Sequence, residues 1–369
     1  MLSTVVRPLE YLIQYGMFFA KVATIVVAII IVLGAIVSSG SRQKKADKKG
    51  SIRVTPLNYH FDEMRERLRE SVLDKDQLKK IHKQEKKAAK AEHKRAREKE
   101  KQKTKEGSEA DSRAVDDRKK RSYVLNFKGD LAAEAVTALR EEITAILTLA
   151  EKADEVILKL ESPGGMVHAY GLASSQLLRI KNAGIPLTIC VDKVAASGGY
   201  MMACLADKLV SAPFAIIGSI GVLVQVPNFH RVLKKNDVDY EIISAGEFKR
   251  TMTIFGEITK KGKAKVQEDV ETIHGIFKQW VKDHRPSVDI DKISTGETWV
   301  GMQAKERYMV DEIKTSDECI LTACETADVF ELEFELKKSI QDKLSSAIPG
   351  IVEKVLMSWS NKSRINDYQ

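Results

Sequence analysis

Cysteine is scarce, with four in 369 residues. Cys190, Cys204, Cys319 and Cys324 show no close, paired spacing, which excludes a disulfide scaffold and a zinc-finger type of site. Cys190 and Cys204 lie in apolar runs and read as buried, reduced thiols. Cys319 and Cys324 share one expected helix, without a His or Cys pair to complete a metal site. The set leans towards a reducing compartment. A Walker-type glycine-rich phosphate loop is lacking too, so neither a metal nor a cofactor is expected. Charge of one sign is lacking almost everywhere. The net charge is +8, yet residues 76–105 hold thirteen Lys/Arg against five Asp/Glu and account for the whole excess. Long apolar runs are absent except for one. An apolar content of 43% still excludes wholesale disorder.

That one run, residues 17–37, carries Lys21 as its only charge. As a helix it would rise about 30 Å, the depth of a bilayer core. Lys21 sits one turn in, where its stem can reach the interface, and Tyr15, Phe18 and Phe19 form an aromatic edge. A cleaved signal peptide would have a shorter core and a better cleavage site than Val37-Ser38-Ser39, so a retained anchor is expected over residues 1–40. Arg7 precedes it, whereas Arg42, Lys44, Lys45, Lys48, Lys49 and Arg53 follow. The positive-inside rule then keeps the C-terminal side in the cytoplasm, with the periplasm as the alternative.

Residues 41–121 read as a spacer. No proline or glycine occurs between Asn58 and Lys105. Met64, Leu68 and Val72 recur at helical spacing in the first half; the second half has almost no apolar residue and reads as a solvated helix or an unfolded strip. Its position after an anchor suits anionic lipid headgroups. Nucleic acid is not an expected partner, because the strip has no interleaved aromatics and no recognition motif.

From Ser122 the pattern changes to short apolar runs alternating with amphipathic helices. Strands are expected at 123–127, 155–160, 187–191, 208–211 and 216–224, and helices at 131–152, 169–182 and 198–206. This is the α/β class with a largely parallel sheet, whose working site lies at the carboxyl ends of the strands. Two glycine-marked turns fall there. Glu161-Ser162-Pro163-Gly164-Gly165 follows a strand and precedes a helix, a tight turn whose amides can approach a ligand closely. Lys193-Val194-Ala195-Ala196-Ser197-Gly198-Gly199-Tyr200 joins a strand to a short helix. Ser197 is there either an N-cap or a nucleophile. In the second case the amides of Gly198 and Gly165 would converge on one oxyanion. Ala195 in place of the first glycine sets the turn apart from the G-x-S-x-G elbow.

The motifs ESPGG, VDKVAASGGYMMAC, APFAIIGSIGV, SAGEFKR and TGETWVGMQA…VDEI, in this order, resemble the membrane-anchored signal-peptide-peptidase A group of serine peptidases, and among them the single-domain SohB-type members. The resemblance covers residues 123–329. It implies a Clp/crotonase-like core of repeated β-β-α units, no cofactor, a ring-like homo-oligomer, and a Ser/Lys dyad. Carried over by motif, Ser197 is the nucleophile and Lys249 the general base, with Gly165 and Gly198 as the oxyanion hole; Ser219 is either a partner orienting the lysine or a turn serine. A solvated lysine has a pKa of about 10.4 and is a poor base at neutral pH, so this chemistry needs burial of the amine. Lys193, Lys208 and Arg250 are competitors for that role. A Ser/His/Asp alternative would use His230 with Asp237 or Asp239, or His168. Gly218, Ile220, Gly221 and Val222 lie in an extended run suited to pairing with a substrate peptide. The implied substrates are remnant signal peptides or unfolded apolar segments, taken by a peptidase domain at 122–330. A catalytically silent peptide-binding scaffold and an acyl-CoA enzyme are the rival functions.

One position departs from the family: Tyr308 stands where the members carry a glycine that ends a helix. The tail, 331–369, has Ile340, Leu344, Ile348, Ile351 and Val355 at helical spacing, suited to packing on the body or lying on a membrane. A reporter fused after Val329 is expected to be active in the cytoplasm; a periplasmic signal would reverse the orientation.

Overall fold

Alternation decides which way each strand of the central sheet faces. The computed structural model describes residues 16–21, 24, 50–87, 90–91 and 118–336. Its strands are β1 (Ser51–Pro56), β2 (Arg121–Lys128), β3 (Glu155–Glu161), β4 (Leu187–Val191), β5 (Val194–Ala196), β6 (Lys208–Ser211), β7 (Ile216–Gly218), β8 (Thr298–Val300), β9 (Glu312–Ile313) and β10 (Asp328–Glu335). Its helices are α1 (Leu57–Val72), α2 (Val136–Leu147), α3 (Val167–Asn182), α4 (Gly198–Ala203), α5 (His230–Lys235), α6 (Lys260–His284), α7 (Ile290–Ile293), α8 (Gly301–Glu306) and α9 (Ser316–Thr326).

The seven-stranded sheet has the order β1-β10-β2-β3-β4-β6-β9. The pairs from β10 to β9 run parallel, and Leu125, Leu158, Ile189 and Leu209 stand abreast in its register. These four join Phe127, Leu160 and Val191 in a core with Leu139 and Ile143 of α2, Leu177 and Ile180 of α3, Met202 of α4, and Phe277 and Val281 of α6. The intervening residues Val124, Ile157, Cys190 and Val210 point to the other face. There they meet Leu57 of α1 and Ile320 and Ala323 of α9. Both faces are therefore covered, as a parallel sheet requires. Burying each of these aliphatic side chains is worth about 1.5–3 kcal/mol.

The folded unit spans Ile52–Phe334, wider than the stretch from 122 to 330. The beginning of the expected spacer belongs to it: β1 pairs at the sheet edge, and Leu57 is buried. Asn58 donates its amide to the carbonyls of Cys324 and Ala327 and accepts from the N–H of Val329. The apolar spacing of Met64, Leu68 and Val72 leads to no core, for all three are exposed, while Leu57 and Phe61 face the sheet. A second unit comprises Met1–Ser51 and Glu335–Gln369. Residues 16–21 in it are helical; most of the expected anchor, residues 41–49, 88–89 and 92–117 of the expected spacer and the tail from 337 lie outside the described residues, while 76–87 and 90–91 of the basic strip are helical. Among the described residues, no helix is long and apolar enough to cross a membrane.

Three elements differ from the pattern reading, each for a local reason. The helix expected from Leu131 begins at Val136, because Ala133 takes φ 51° and the Leu131 carbonyl accepts from Met166 N–H. The strand expected from 216 to 224 ends at Gly218, since Gly218 at φ 111° and Ser219 at φ 52° leave the extended region. Residues 194–196, read as part of a turn, form β5, which pairs with β7 in a second sheet of order β5-β7-β8.

Tyr308 takes φ 58°. It occupies the left-handed position after α8: Tyr308 N–H donates to Lys305 C=O and Met309 N–H to Ala304 C=O, the Schellman pattern. Arg285, 6% exposed, forms two hydrogen bonds with Asp311 at 2.7 and 3.0 Å and donates to the Tyr308 carbonyl, so the turn is held although its residue is unsuited to it. Burial alone would raise the Asp311 carboxyl. Arg285 and the Leu209 amide outweigh it and hold Asp311 below the usual carboxylate range. Tyr308→Gly is expected to stabilise the protein by about 1 kcal/mol, read as a higher urea midpoint, because it removes the left-handed strain and leaves the backbone bonds intact.

Candidate active site

Both glycine-marked turns open from the carboxyl ends of neighbouring strands. The Ser162–Met166 turn follows β3, and the β5–α4 junction follows β4. They are joined directly: Ser162 N–H donates to Val194 C=O, and Ala196 N–H donates to Ser162 C=O. Ser197 caps α4 with φ 52° and ψ −119°, a strained conformation for a residue with a Cβ, and its side chain makes no capping hydrogen bond. Its own N–H donates to the Gly218 carbonyl at 2.8 Å, which fixes the end of β7 beside it.

Gly164 lies against Ser197. A Cβ on Gly164 would come within 2.7 Å of the Ser197 Cβ, the Gly198 nitrogen and the Ala196 carbonyl, and the residue takes φ 91°. The amides of this turn are then accounted for one by one. Pro163 has none. Gly164 N–H donates to Ser162 Oγ, and Met166 N–H donates to the Leu131 carbonyl. Gly165 N–H alone has no acceptor among the described residues. Across from it, Gly198 N–H is likewise unbonded at the start of α4. Gly198 could hardly be another residue, since a Cβ there would strike the ring of Tyr170 at 2.4 Å.

Helix α4 is held from behind. Trp280 of α6 donates its indole N–H to the Met201 carbonyl, and the buried Tyr200 hydroxyl donates to the Met309 carbonyl. Burial pushes the Tyr200 phenol up, out of any titration in the neutral range.

The sequence-derived residues divide into two groups. Ser197, Gly198, Gly165 and Gly218 meet at one place, and Ser219 follows Gly218 with its N–H donated to Glu297 C=O. Ile220 is buried, and Gly221 and Val222 are half-buried in a stretch without ladder pairing. Lys249 is not brought to them within one chain. Its side chain is exposed and has no hydrogen bond or ion pair among the described residues. Two of its three competitors are engaged, Lys193 with Glu161 at 3.0 Å and Lys208 with Glu312, while Arg250 is exposed. His168 is exposed and His230 begins α5, and neither contacts Ser197. Pattern reading missed Ser162 and Tyr170, whose hydroxyls lie 2.5 Å apart beneath the turn. A serine before Pro-Gly-Gly was on view, but Tyr170 carried no signal beyond an apolar helix face.

Two family models cover this architecture in succession: the N-terminal model of peptidase family S49 matches residues 10–177, and the peptidase family S49 model matches residues 179–330. A probable protease SohB of Haemophilus influenzae is 49% identical over 353 residues, which cover 96% of this chain and 97% of the relative. The chain belongs to peptidase family S49. A probable protease SohB of Buchnera aphidicola subsp. Schlechtendalia chinensis is 41% identical over 314 residues, 85% of this chain and all of the relative. Similarity extends more weakly to protease 4 of Haemophilus influenzae, at 29% over 45% of this chain and 27% of that protein. The S49 membership establishes a peptidase on an α/β fold.

Gly164→Ala is expected to reduce casein cleavage at least about 100-fold, because the added carbon meets the Ala196 carbonyl, the Gly198 nitrogen and the Ser197 Cβ and forces the two turns apart. Wild-type activity in a folded variant would contradict this geometry.

Proposed function

We propose that the protein is a membrane-anchored serine endopeptidase. Ser197 is the nucleophile, Lys249 the general base, and the amides of Gly165 and Gly198 bind the oxyanion. The observation that carries this reading is the pair of unbonded glycine amides beside a strained, half-buried serine where the carboxyl ends of β3 and β5 meet. Ser197 Oγ attacks the scissile carbonyl while its proton passes to the lysine amine. The C–N bond then breaks and the leaving amine takes that proton. Water, deprotonated by the same amine, releases the acyl group and restores the serine.

The lysine is supplied on assembly. Lys249 lies in a stretch rich in exposed apolar side chains, including Leu223, Val232, Ile243 at 98% exposure, Phe248 and Ile254. A second copy covering this stretch would bury Phe248, desolvate the neighbouring amine and complete the dyad across the boundary, in a ring-like homo-oligomer. Beyond Gly218 the unpaired backbone of Ile220, Gly221 and Val222 offers a strand-like edge to an extended peptide, with Met201 among its apolar neighbours. Remnant signal peptides and unfolded apolar segments fit such a groove. The successions β4-β5-α4 and β6-β7 support a Clp/crotonase-like spiral of β-β-α units. Residues 17–37 serve as a single inner-membrane anchor, with the peptidase domain in the cytoplasm.

A fluorophosphonate probe is expected to label the wild type and not Ser197→Ala, and Lys249→Ala is expected to lose casein cleavage by about 10²–10⁴-fold. Activity should climb on the alkaline side of neutrality, whereas a histidine base would show its fall below about pH 6.5. Mixing the two inactive variants should restore cleavage if the dyad spans two copies. Equal labelling of the wild type and Ser197→Ala would overturn Ser197 as the nucleophile.

A further inference from the structure

Beneath the proposed oxyanion hole runs a short chain of buried hydroxyls whose proton directions can be assigned. Tyr170 and Ser162 are both fully buried. The Tyr170 hydroxyl lies 2.7 Å from the Asp130 carbonyl, which has no proton and can only accept. Tyr170 therefore donates there. The 2.5 Å contact with Ser162 is then filled by the serine, which donates to the phenol oxygen. Ser162 Oγ, its proton thus committed, accepts from Gly164 N–H at 3.1 Å. Every member has one direction left to it. Burial raises the Tyr170 phenol, so the relay keeps its protons through the working pH range.

The consequence falls on Gly165. The Gly164 amide could in principle turn towards the serine nucleophile or away from it. With Gly164 N–H bound to Ser162 and Met166 N–H bound to Leu131, the Gly165 N–H between them is the one amide of the turn left without an acceptor among the described residues. The Tyr170 ring also lies against Gly198, so one side chain braces both amides of the hole. We propose that Ser162 and Tyr170 are positioning residues that set the oxyanion-binding geometry through the Gly164 amide. This rests on the serine-peptidase reading above.

Full-length wild type, Tyr170→Phe, Ser162→Ala and the double variant would be compared on a dye-quenched casein peptide. Tyr170→Phe keeps the ring that packs on Gly198 and Phe127 and removes only the hydroxyl. Each single variant is expected to lower kcat about 10- to 100-fold with KM changed less than about threefold. The double variant should fall no further than the worse single one, because both act through one amide. A peptide aldehyde, which places an oxyanion in the hole, should lose affinity in proportion to kcat. Unchanged kcat, or losses that multiply in the double variant, would overturn the relay. Should one variant not fold, the other single variant and its aldehyde affinity carry the same test. A wild type that neither cleaves casein nor reacts with fluorophosphonate would instead remove the serine-peptidase reading and the relay with it.

Discussion

The site depends on the absence of one carbon atom. The junction after β5 comes within 2.7 Å of where a Cβ on Gly164, in the turn after β3, would stand, and only glycine lets the two turns touch. That contact is possible because the end of β3 is bridged to β5, Ser162 pairing with Ala195 in parallel. Once the turns touch, the amides of Gly165 and Gly198 are the ones left without an acceptor among the described residues. Helices α4, α6 and α8 hold one side of the contact, and Tyr170 and Ser162 the other.

Much of this was legible in the residues, for identifiable reasons. Val124, Ile157, Cys190 and Val210 sit in short apolar runs because a doubly covered sheet demands apolar side chains on both faces, and such runs are visible without a structure. Pro-Gly-Gly and Ser-Gly-Gly marked the turns because each needs backbone that other residues obstruct. The start of α2 was not legible: Leu131 suits a helix, and only its distant partner Met166 takes its carbonyl. The shortening of β7 is of the same kind, since a left-handed Ser219 is a tertiary demand on a residue that tolerates an extended run. Tyr170 looks like any aromatic on a buried face. The site of Lys249 could not be read from one chain if a second copy supplies its surroundings.

Electrostatics and packing divide the molecule differently. The excess positive charge lies in residues 76–105, while the core around the sheet holds internal pairs such as Arg118 with Asp154 and Arg285 with Asp311. The pair of Arg285 with Asp311 shows how such a charge is kept: the guanidinium is almost wholly buried, yet it meets a carboxylate and a carbonyl, and the carboxylate in turn accepts from the Leu209 amide of β6. Removing one partner would strand the other, which makes the pair a structural commitment of the turn beneath α4.

The edge strand β1 precedes the body of the domain by more than sixty residues, and it is completed by the last strand, β10. Asn58 must wait for Val329, 271 positions later, before its hydrogen bonds can close. Synthesis therefore delivers the first piece of the sheet long before its neighbour exists. Until then the row of backbone groups on β10's side of the sheet, the faces of Leu57 and Phe61, and the cavity they fill remain open. Contacts of such separation slow folding and leave strand edges available to other chains. The domain's earliest strand is thus its last to be secured, and the interval is set by the length of chain between them.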